Sequence, residues 1–138
     1  MKPRYLHGLL DTSVVVELTD FISSGQLPLE SDISSITLAE LSVGPLVAKT
    51  PQEQSARQSV LQLVEASFDP LPFDETTARV FGRVAAQLRN SGRKTQARAF
   101  DALIASVAIQ HDLPLFTKNP QDFQDIQDLE VVAINGKF

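Results

Sequence analysis

Apolar residues along the chain fall alternately into short runs and into longer helical repeats. Short runs bounded by turn residues, at 5–10, 33–36, 113–117 and 131–134, predict four β-strands. The stretch 68–73 is also apolar, but it contains prolines, which remove hydrogen-bond donors from a strand. We therefore expect an irregular or edge strand there.

Helical repeats occupy most of the chain between these runs. The first predicted helix is short, at residues 13–19. Thr37-Leu38-Ala39-Glu40 has the Thr-x-x-Glu pattern of a capping box and predicts that a second helix begins there. Thr50-Pro51-Gln52-Glu53 has the same pattern, with proline at the first helical position. Asp74 is the predicted N-cap of a further helix, and residues 97–110 form the last one.

Strands that alternate with helices in this order predict parallel strand–helix–strand units with helices on both sides of a sheet. The length of 138 residues is that of a single domain. We therefore expect one three-layer α/β domain, in which a central, mostly parallel sheet is flanked by helices.

The composition excludes several classes of protein. The 43% hydrophobic and 21% charged residues are ordinary for a globular protein and exclude a disordered or fibrous one. The absence of cysteine excludes disulfides and cysteine-bound zinc, and it is typical of a reducing compartment. No apolar run approaches the ~18 residues that a membrane-spanning helix needs. We expect a cytoplasmic protein without a membrane partner.

The net charge of −5 conceals an uneven distribution of basic residues. The segment 79–98, here called the basic strip, contains no Asp or Glu and carries +6, so the rest of the chain carries −11. Such a strip can bind a phosphate backbone, although a solvated helix face would have the same composition. Its basic residues are Arg79, Arg83, Arg89, Arg93, Lys94 and Arg98.

Four acidic residues lie where predicted strands lead into helices or loops. Asp11 follows the first strand, and Glu40 lies one turn past the second. Asp101 is near the start of the last helix, and Asp122 is in the loop after 113–117. Because functional clefts lie at the carboxyl ends of parallel strands, we expect these carboxylates to converge with no Lys or Arg between them. Such a cluster of oxygens favours a hard divalent ion, Mg²⁺ or Mn²⁺.

Each carboxylate also has a local explanation. Asp11 and Asp101 could each stabilise a helix N-terminus. Glu40 could be the capping-box partner of Thr37, and Asp122 could be an ordinary turn residue. The residues alone leave these alternatives open.

Three sequence motifs cover almost the whole chain. The first is Leu9-Leu10-Asp11-Thr12-Ser13, and the second is Thr37-Leu38-Ala39-Glu40-Leu41 followed by Gly44. The third begins with Phe100-Asp101-Ala102-Leu103-Ile104-Ala105 and continues to Thr117-Lys118-Asn119-Pro120-Gln121-Asp122-Phe123. In these motifs the chain resembles the PIN-domain ribonucleases, specifically the VapC-type toxins of bacterial toxin–antitoxin pairs.

The resemblance implies a PIN-like fold and an endoribonuclease that uses one or two Mg²⁺ or Mn²⁺ ions to hydrolyse RNA. It assigns catalysis and metal binding to Asp11, Glu40, Asp101 and Asp122, and it leaves open whether Asn119 or Asp122 completes the site. The positions that would support these carboxylates are Thr12, Ser13, Thr117 and Asn119. The basic strip would be the track for the RNA backbone.

The resemblance also implies protein partners. A cognate antitoxin would hold the nuclease inactive, and the nuclease itself would form a homodimer. We expect the antitoxin to present a basic residue to the carboxylates and an apolar segment to a groove beside them. The stretch 38–47 has more apolar residues than one buried helix face requires, so part of it is a candidate groove wall. The alternative is that the whole stretch is core.

Two other functions fit parts of the pattern. A non-catalytic RNA-binding PIN module would share the fold, but the intact set of four acids argues against it. A receiver-like phosphoacceptor domain would also place acids after its first strand. Here a single acid, Asp11, follows that strand, which argues against the receiver-like alternative.

Overall fold

The computed structural model describes residues 5–92 and 98–138, and the centre of this part is a sheet of four strands. The strands are β1 (His7–Leu10), β2 (Glu30–Asp32), β3 (Leu115–Thr117) and β4 (Val131–Ala133). Their order across the sheet is β2-β1-β3-β4, and each pairing is parallel. The predicted α/β fold with a parallel central sheet is confirmed.

Helices connect these strands and cover both faces of the sheet. In the described part of the chain the α-helices are α1 (Thr12–Val15), α2 (Leu18–Ser24), α3 (Ser35–Val43), α4 (Pro51–Ser67), α5 (Glu75–Asn90) and α6 (Ala99–Gln110). Short 3-10 helices follow α3 and β3, at Gly44–Val47 and Pro120–Phe123. Over residues 5–92 and 98–138, none of the helices is long and apolar enough to cross a membrane.

Neighbouring residues of the central strands face opposite sides of the sheet. β1 and β3 pair so that Leu9 lies beside Leu115 and Leu10 beside Phe116. Leu9 and Leu115 pack with side chains of α5 and α6. Leu10 and Phe116 pack with side chains of α1 to α4. The sheet is therefore the middle of three layers, with one apolar core on each side.

The second strand and the start of α3 differ from the prediction. β2 lies at Glu30–Asp32 and not at 33–36, because it is an edge strand whose polar residues carry no apolar signal. Ser34 is the N-cap of α3, and its hydroxyl accepts the backbone N–H of Thr37 at 3.1 Å. The capping box predicted at Thr37 is therefore wrong. Glu40 lies within the helix and takes no part in the cap.

Other predicted ends of helices are confirmed. The hydroxyl of Thr50 accepts the backbone N–H of Glu53 at 3.1 Å, as the proline-containing cap pattern predicts. The carboxylate of Asp74 accepts the backbone N–H of Thr77 at 3.0 Å. The irregular stretch 68–73 forms an isolated bridge to the chain just after β2, which is the edge position that its prolines predict.

Gly8 in β1 lies against the ring of Phe116. A Cβ at this position would lie 2.5 and 2.7 Å from two ring carbons of Phe116, which is fully enclosed by the core. We expect Gly8→Ala to lower the free energy of unfolding by ~1–3 kcal/mol, the usual cost of overpacking a core.

Gly82→Ala is the matched control, because a Cβ there meets open space in the middle of α5. It should raise the free energy of unfolding by ~0.5–1 kcal/mol. Chemical denaturation measures both changes, and equal effects would contradict the close packing of Gly8.

Candidate active site

Asp11 lies at the carboxyl end of β1, where it is buried and is the N-cap of α1. Its Oδ1 accepts the backbone N–H of Thr12 at 2.8 Å. Its Oδ2 accepts the hydroxyls of Ser13 at 2.8 Å and Thr117 at 2.7 Å. The helix-cap role is therefore real, but the same carboxylate is also bound by β3.

Backbone amides after β3 hold the two hydroxyls that bind Asp11. Lys118 donates its N–H to Ser13 Oγ at 3.2 Å, and Asn119 donates its N–H to Thr117 Oγ1 at 3.0 Å. Each hydroxyl accepts from an amide and donates its own hydrogen to Asp11. Ser13 and Thr117, two of the predicted supporting residues, contact Asp11 directly, and Asn119 reaches the network through its backbone N–H.

Glu40 on α3 faces the start of α1. Its Oε1 accepts the hydroxyl of Thr12 at 2.7 Å. Because the single hydroxyl hydrogen of Thr12 goes to Glu40, Thr37 is the donor in the 2.9 Å bond between the two threonines. Burial raises the pKa of Glu40, the Thr12 hydrogen bond lowers it in part, and the charge of Asp11 raises it further. Glu40 therefore belongs to the same acidic cluster as Asp11.

A guanidinium joins the other two predicted carboxylates. Asp101 is in the first turn of α6, and Asp122 is in the 3-10 helix after β3. Arg98 places Nη1 2.8 Å from Oδ1 of Asp122 and 3.8 Å from Oδ2 of Asp101. The expectation that no Lys or Arg lies between the carboxylates is therefore wrong.

Asp101 is affected electrostatically by each of the other predicted acids. The pKa of Asp101 is raised to about 6, mainly by burial and then by the charges of Asp11, Asp122 and Glu40. Arg98 acts in the opposite direction without cancelling the effect. The four carboxylates, which are far apart in the chain, thus lie within electrostatic reach of one another at one end of the sheet.

The chemistry of this cluster suits a hard divalent cation. Its members offer carboxylate oxygens, and one guanidinium offsets their repulsion only in part. Within residues 5–92 and 98–138, no three acidic or histidine side chains are already placed as a set of metal ligands. Hydroxyls and Arg98 engage the carboxylates instead, so an ion would have to draw them together. The donor set therefore fits a hard divalent ion in its chemistry.

The basic strip extends away from this cluster, because Arg79 lies near the start of α5, where Asp74 is close to His111 at the end of α6. Arg79 and Arg83 are exposed on α5, as is Arg89 near the end of that helix. α5 packs against α6, the helix that contains Asp101. Arg98 contacts the cluster directly. The predicted strip residues Arg93 and Lys94 lie outside the described residues.

An open groove of about 430 Å³ lies between α3 and α4 and reaches the acidic cluster. Its lining residues are Thr12, Val16, Glu40, Leu41, Gly44, Ala56, Arg57 and Val60. Leu41, from the stretch 38–47, is part of this lining, whereas Val43, Leu46 and Val47 are exposed. The alternative that the whole stretch is core is therefore wrong.

Sequence reasoning missed two contributions to the site. Thr37 was assigned to a helix cap, but its side chain contacts Thr12, the residue that donates to Glu40. Arg98 was assigned to the basic strip alone. In both cases the missed residue precedes a predicted carboxylate by three positions, a spacing that brings side chains together on a helix. This spacing was the available signal.

The chain is similar to known proteins over most of its length. A family model described as the PIN domain matches residues 8–129, which include the four predicted carboxylates. Ribonuclease VapC5 from Mycobacterium tuberculosis is 35% identical over 129 residues, which are 92% of this chain and 93% of that protein. Ribonuclease VapC4 from the same organism is 32% identical over 129 residues, which are 92% of this chain and 96% of that protein.

A solved structure has the same fold. It is a member of the VapBC family of toxin–antitoxin systems, VapBC-5 from Mycobacterium tuberculosis, with a TM-score of 0.80 and 32% identity. The similarity covers 94% of this chain and 99% of that chain. These matches decide against the receiver-like alternative.

The raised pKa of Asp101 predicts that removing its charge stabilises the metal-free protein at high pH. The folded value of about 6 lies above the 3.8 of an ordinary aspartate, so stability is lost as the pH rises through this interval. We expect Asp101→Asn to melt at a higher temperature than the native protein at about pH 8. The difference should shrink as the pH falls from about 6 to 3.8 and be small below that, where the carboxyl is mostly protonated in the folded and unfolded states.

Thermal melts in EDTA across this pH range measure the effect. Asp69→Asn, at an exposed position, is the control for loss of one negative charge, and it should change the melting temperature little. A lower melting temperature for Asp101→Asn at about pH 8 would contradict the crowding of carboxylates around Asp101.

Proposed function

This chain belongs to the PIN-domain family, among the VapC ribonucleases, and we propose that it is the endoribonuclease toxin of a toxin–antitoxin pair, dependent on Mg²⁺ or Mn²⁺. The observation that carries this proposal is the meeting of four carboxylates from separate parts of the chain. A fold does not need such a cluster, which lowers stability unless a cation is bound. The relatives named as ribonucleases indicate RNA as the substrate class.

The ion would be held by Asp11, Glu40 and Asp101. When bound, it would lower the pKa of a water molecule toward neutrality and offset negative charge on the phosphate. In the structure, Oδ1 of Asp11 accepts the N–H of Thr12. A carboxylate oxygen has two lone pairs, so this atom can bind an ion without breaking that hydrogen bond.

The hydroxyl network around the carboxylates would orient them for this role. Ser13 and Thr117 both bind Oδ2 of Asp11, so its carboxylate cannot rotate without breaking two hydrogen bonds. Thr12 holds Oε1 of Glu40 in the same way. These residues would hold the carboxylates in fixed positions. Electrostatic catalysis depends on charged groups that are already in position before the reaction.

The proposed substrate is single-stranded or looped RNA, because its backbone can be splayed out at the cleavage point. Arg98 contacts Asp101 and Asp122 directly. Arg89 is exposed in the last turn of α5, at the end from which the chain leads into α6. Phosphates on either side of the cleaved bond would meet this positive charge. The remainder of the chain carries −11 outside the basic strip, and it would repel RNA from other surfaces.

The proposed partner is a cognate antitoxin that occupies the groove between α3 and α4. The groove has apolar walls, including Leu41 and Val60, and Glu40 lies at its edge. An amphipathic helix could bury its apolar face there while a basic side chain reaches the carboxylates. The cluster already binds one guanidinium, that of Arg98, so a basic residue of a partner suits it. The predicted homodimer stays a prediction from the family resemblance.

Loss of a carboxylate of the cluster should abolish RNA cleavage. We expect Asp11→Asn and Asp101→Asn to lower the cleavage rate by more than ~100-fold, because each removes a proposed ligand. Glu40→Gln should also lose activity while keeping α3 intact, because Ser34 and not Glu40 caps that helix. Asp69→Asn, which removes an exposed carboxylate, is the control. The measurement is cleavage of an unstructured RNA oligonucleotide in Mg²⁺ or Mn²⁺, in EDTA, and after the ion is restored.

Three outcomes of this assay are decisive. Native protein that cleaves RNA equally well in EDTA would contradict the metal dependence. Cleavage by Asp101→Asn at the native rate would show that the site is assigned wrongly. RNA that is bound but left intact would support the non-catalytic PIN module.

A charge placed on the groove wall should weaken the antitoxin complex. Ala56 lines the groove on α4, whereas Gln58 lies roughly 200° further around the same helix. Both residues are exposed, so neither substitution by glutamate disturbs the core. We expect Ala56→Glu to weaken the complex at least ~10-fold, because a carboxylate would be desolvated there, and Gln58→Glu to leave it unchanged.

The test is co-expression of the tagged nuclease with the short reading frame adjacent to its gene, followed by affinity purification. Titration of the purified partner then gives the dissociation constant of each variant. Recovery of the native nuclease alone, still toxic to its host, would rule out this partner. Equal weakening by the two glutamates would place the partner elsewhere on the surface.

A further inference from the structure

Arg98 and Asp122 form the closest ion pair in the acidic cluster. Nη1 of Arg98 lies 2.8 Å from Oδ1 of Asp122, and the side chain of Asp122 is 20% exposed. The same Nη1 lies 3.8 Å from Oδ2 of Asp101. At 2.8 Å the guanidinium and the carboxylate of Asp122 are in direct contact as an ion pair. Asp122 is therefore engaged by a cation of this chain.

The other half of the cluster is arranged differently. Asp11 and Glu40 are bound by neutral donors, namely hydroxyls and a backbone N–H. Neutral donors leave the negative charge of a carboxylate in place. Arg98 instead neutralises the side of the cluster on which Asp122 lies. The negative charge of Asp11 and Glu40 is therefore not offset by a cation of this chain, whereas that of Asp122 is offset by Arg98.

We propose that Arg98 is the second cation of this site and takes the place of a second divalent ion. One ion would bind on the side of Asp11, Glu40 and Asp101. Asp122 would be a positioning residue that holds Arg98 and not a ligand of the ion. The inference rests on the proposed function, and it decides between the one-ion and two-ion forms that the sequence left open.

This assignment follows from what a second ion would need. Two-metal sites place their ions about 3.5–4 Å apart, so a second ion needs carboxylate oxygens beyond those that hold the first. Asp122 is the carboxylate left for a second ion, and Arg98 occupies it. Arg98 also has donors to spare, because a guanidinium has five N–H groups and its side chain is 42% exposed. Those donors can meet a phosphate oxygen on the side away from the ion.

The test is the stoichiometry of Mn²⁺ binding, measured by isothermal titration calorimetry on metal-free full-length protein without RNA. We expect one ion per native chain. Arg98→Met keeps an extended apolar side chain but removes the charge, and it should bind two ions because Asp122 becomes available. Arg98→Lys retains a cation and should bind one. Lys49→Met removes a positive charge from an exposed position outside the site and should also bind one.

The double variant Arg98→Met/Asp122→Asn separates the proposed role of Asp122 from that of a ligand. This variant should bind one Mn²⁺ ion, with an affinity within about threefold of that of the native protein, because Asp122, the ligand available to a second ion in Arg98→Met, is absent. If Asp122 were a ligand of the first ion, the double variant would instead bind that ion at least ~10-fold more weakly than the native protein. Thermal melts of each variant establish that it is folded before it is titrated.

The native protein alone can overturn the inference, so the test does not depend on a variant that folds. Two ions bound per native chain would show that Arg98 does not replace one. One ion bound by both the native protein and Arg98→Met would also overturn it, while leaving the proposed function intact. A native protein that binds no Mn²⁺ would overturn the proposed metal-dependent function and this inference with it.

Discussion

A carboxylate buried at the end of the central strand is the constraint on which the rest of the site depends. β1 lies between β2 and β3, so Asp11 at its end is removed from water and needs hydrogen-bond donors. The first turn of α1 and the end of β3 supply them through Ser13 and Thr117. The pairing of β1 with β3, the start of α1 and the orientation of Asp11 are therefore one cooperative arrangement.

This arrangement divides the cluster into a fixed part and an adjustable part. Asp11 and Glu40 are held by short, neutral side chains whose positions are set by β3, α1 and α3. Arg98 is long and partly exposed, and it contacts Asp101 and Asp122 from outside the sheet. A hydroxyl network can hold charge in place, whereas a guanidinium can also change partner when another anion arrives. The site combines both properties on its two sides.

Features set by neighbouring residues could be predicted from the sequence, and features set by distant contacts could not. The cap at Thr50 and the helix repeats depend on residues within a turn or two, so their pattern is visible in the chain. β2 was misplaced because its position is set by pairing with β1, and its own residues are polar. Asp11 and Asp122 could be named because they follow β1 and β3. The spacing of Arg98 before Asp101 indicates that contact, but the contact of Arg98 with Asp122 could not be predicted. That contact joins segments separated by the whole of α6 and β3.

The long helix α4 has one buried side chain, that of Val64, and the rest of its surface is largely open to water. Substitutions on such a surface change fold stability little, so natural drift can alter one wall of the groove while the sheet and the carboxylates stay the same. The similar proteins VapC4 and VapC5 come from one organism. Where several such proteins occur together, a partner seated in the groove as proposed would be chosen by residues along this single helix. Orthogonal pairs can then arise without any change to the nuclease chemistry.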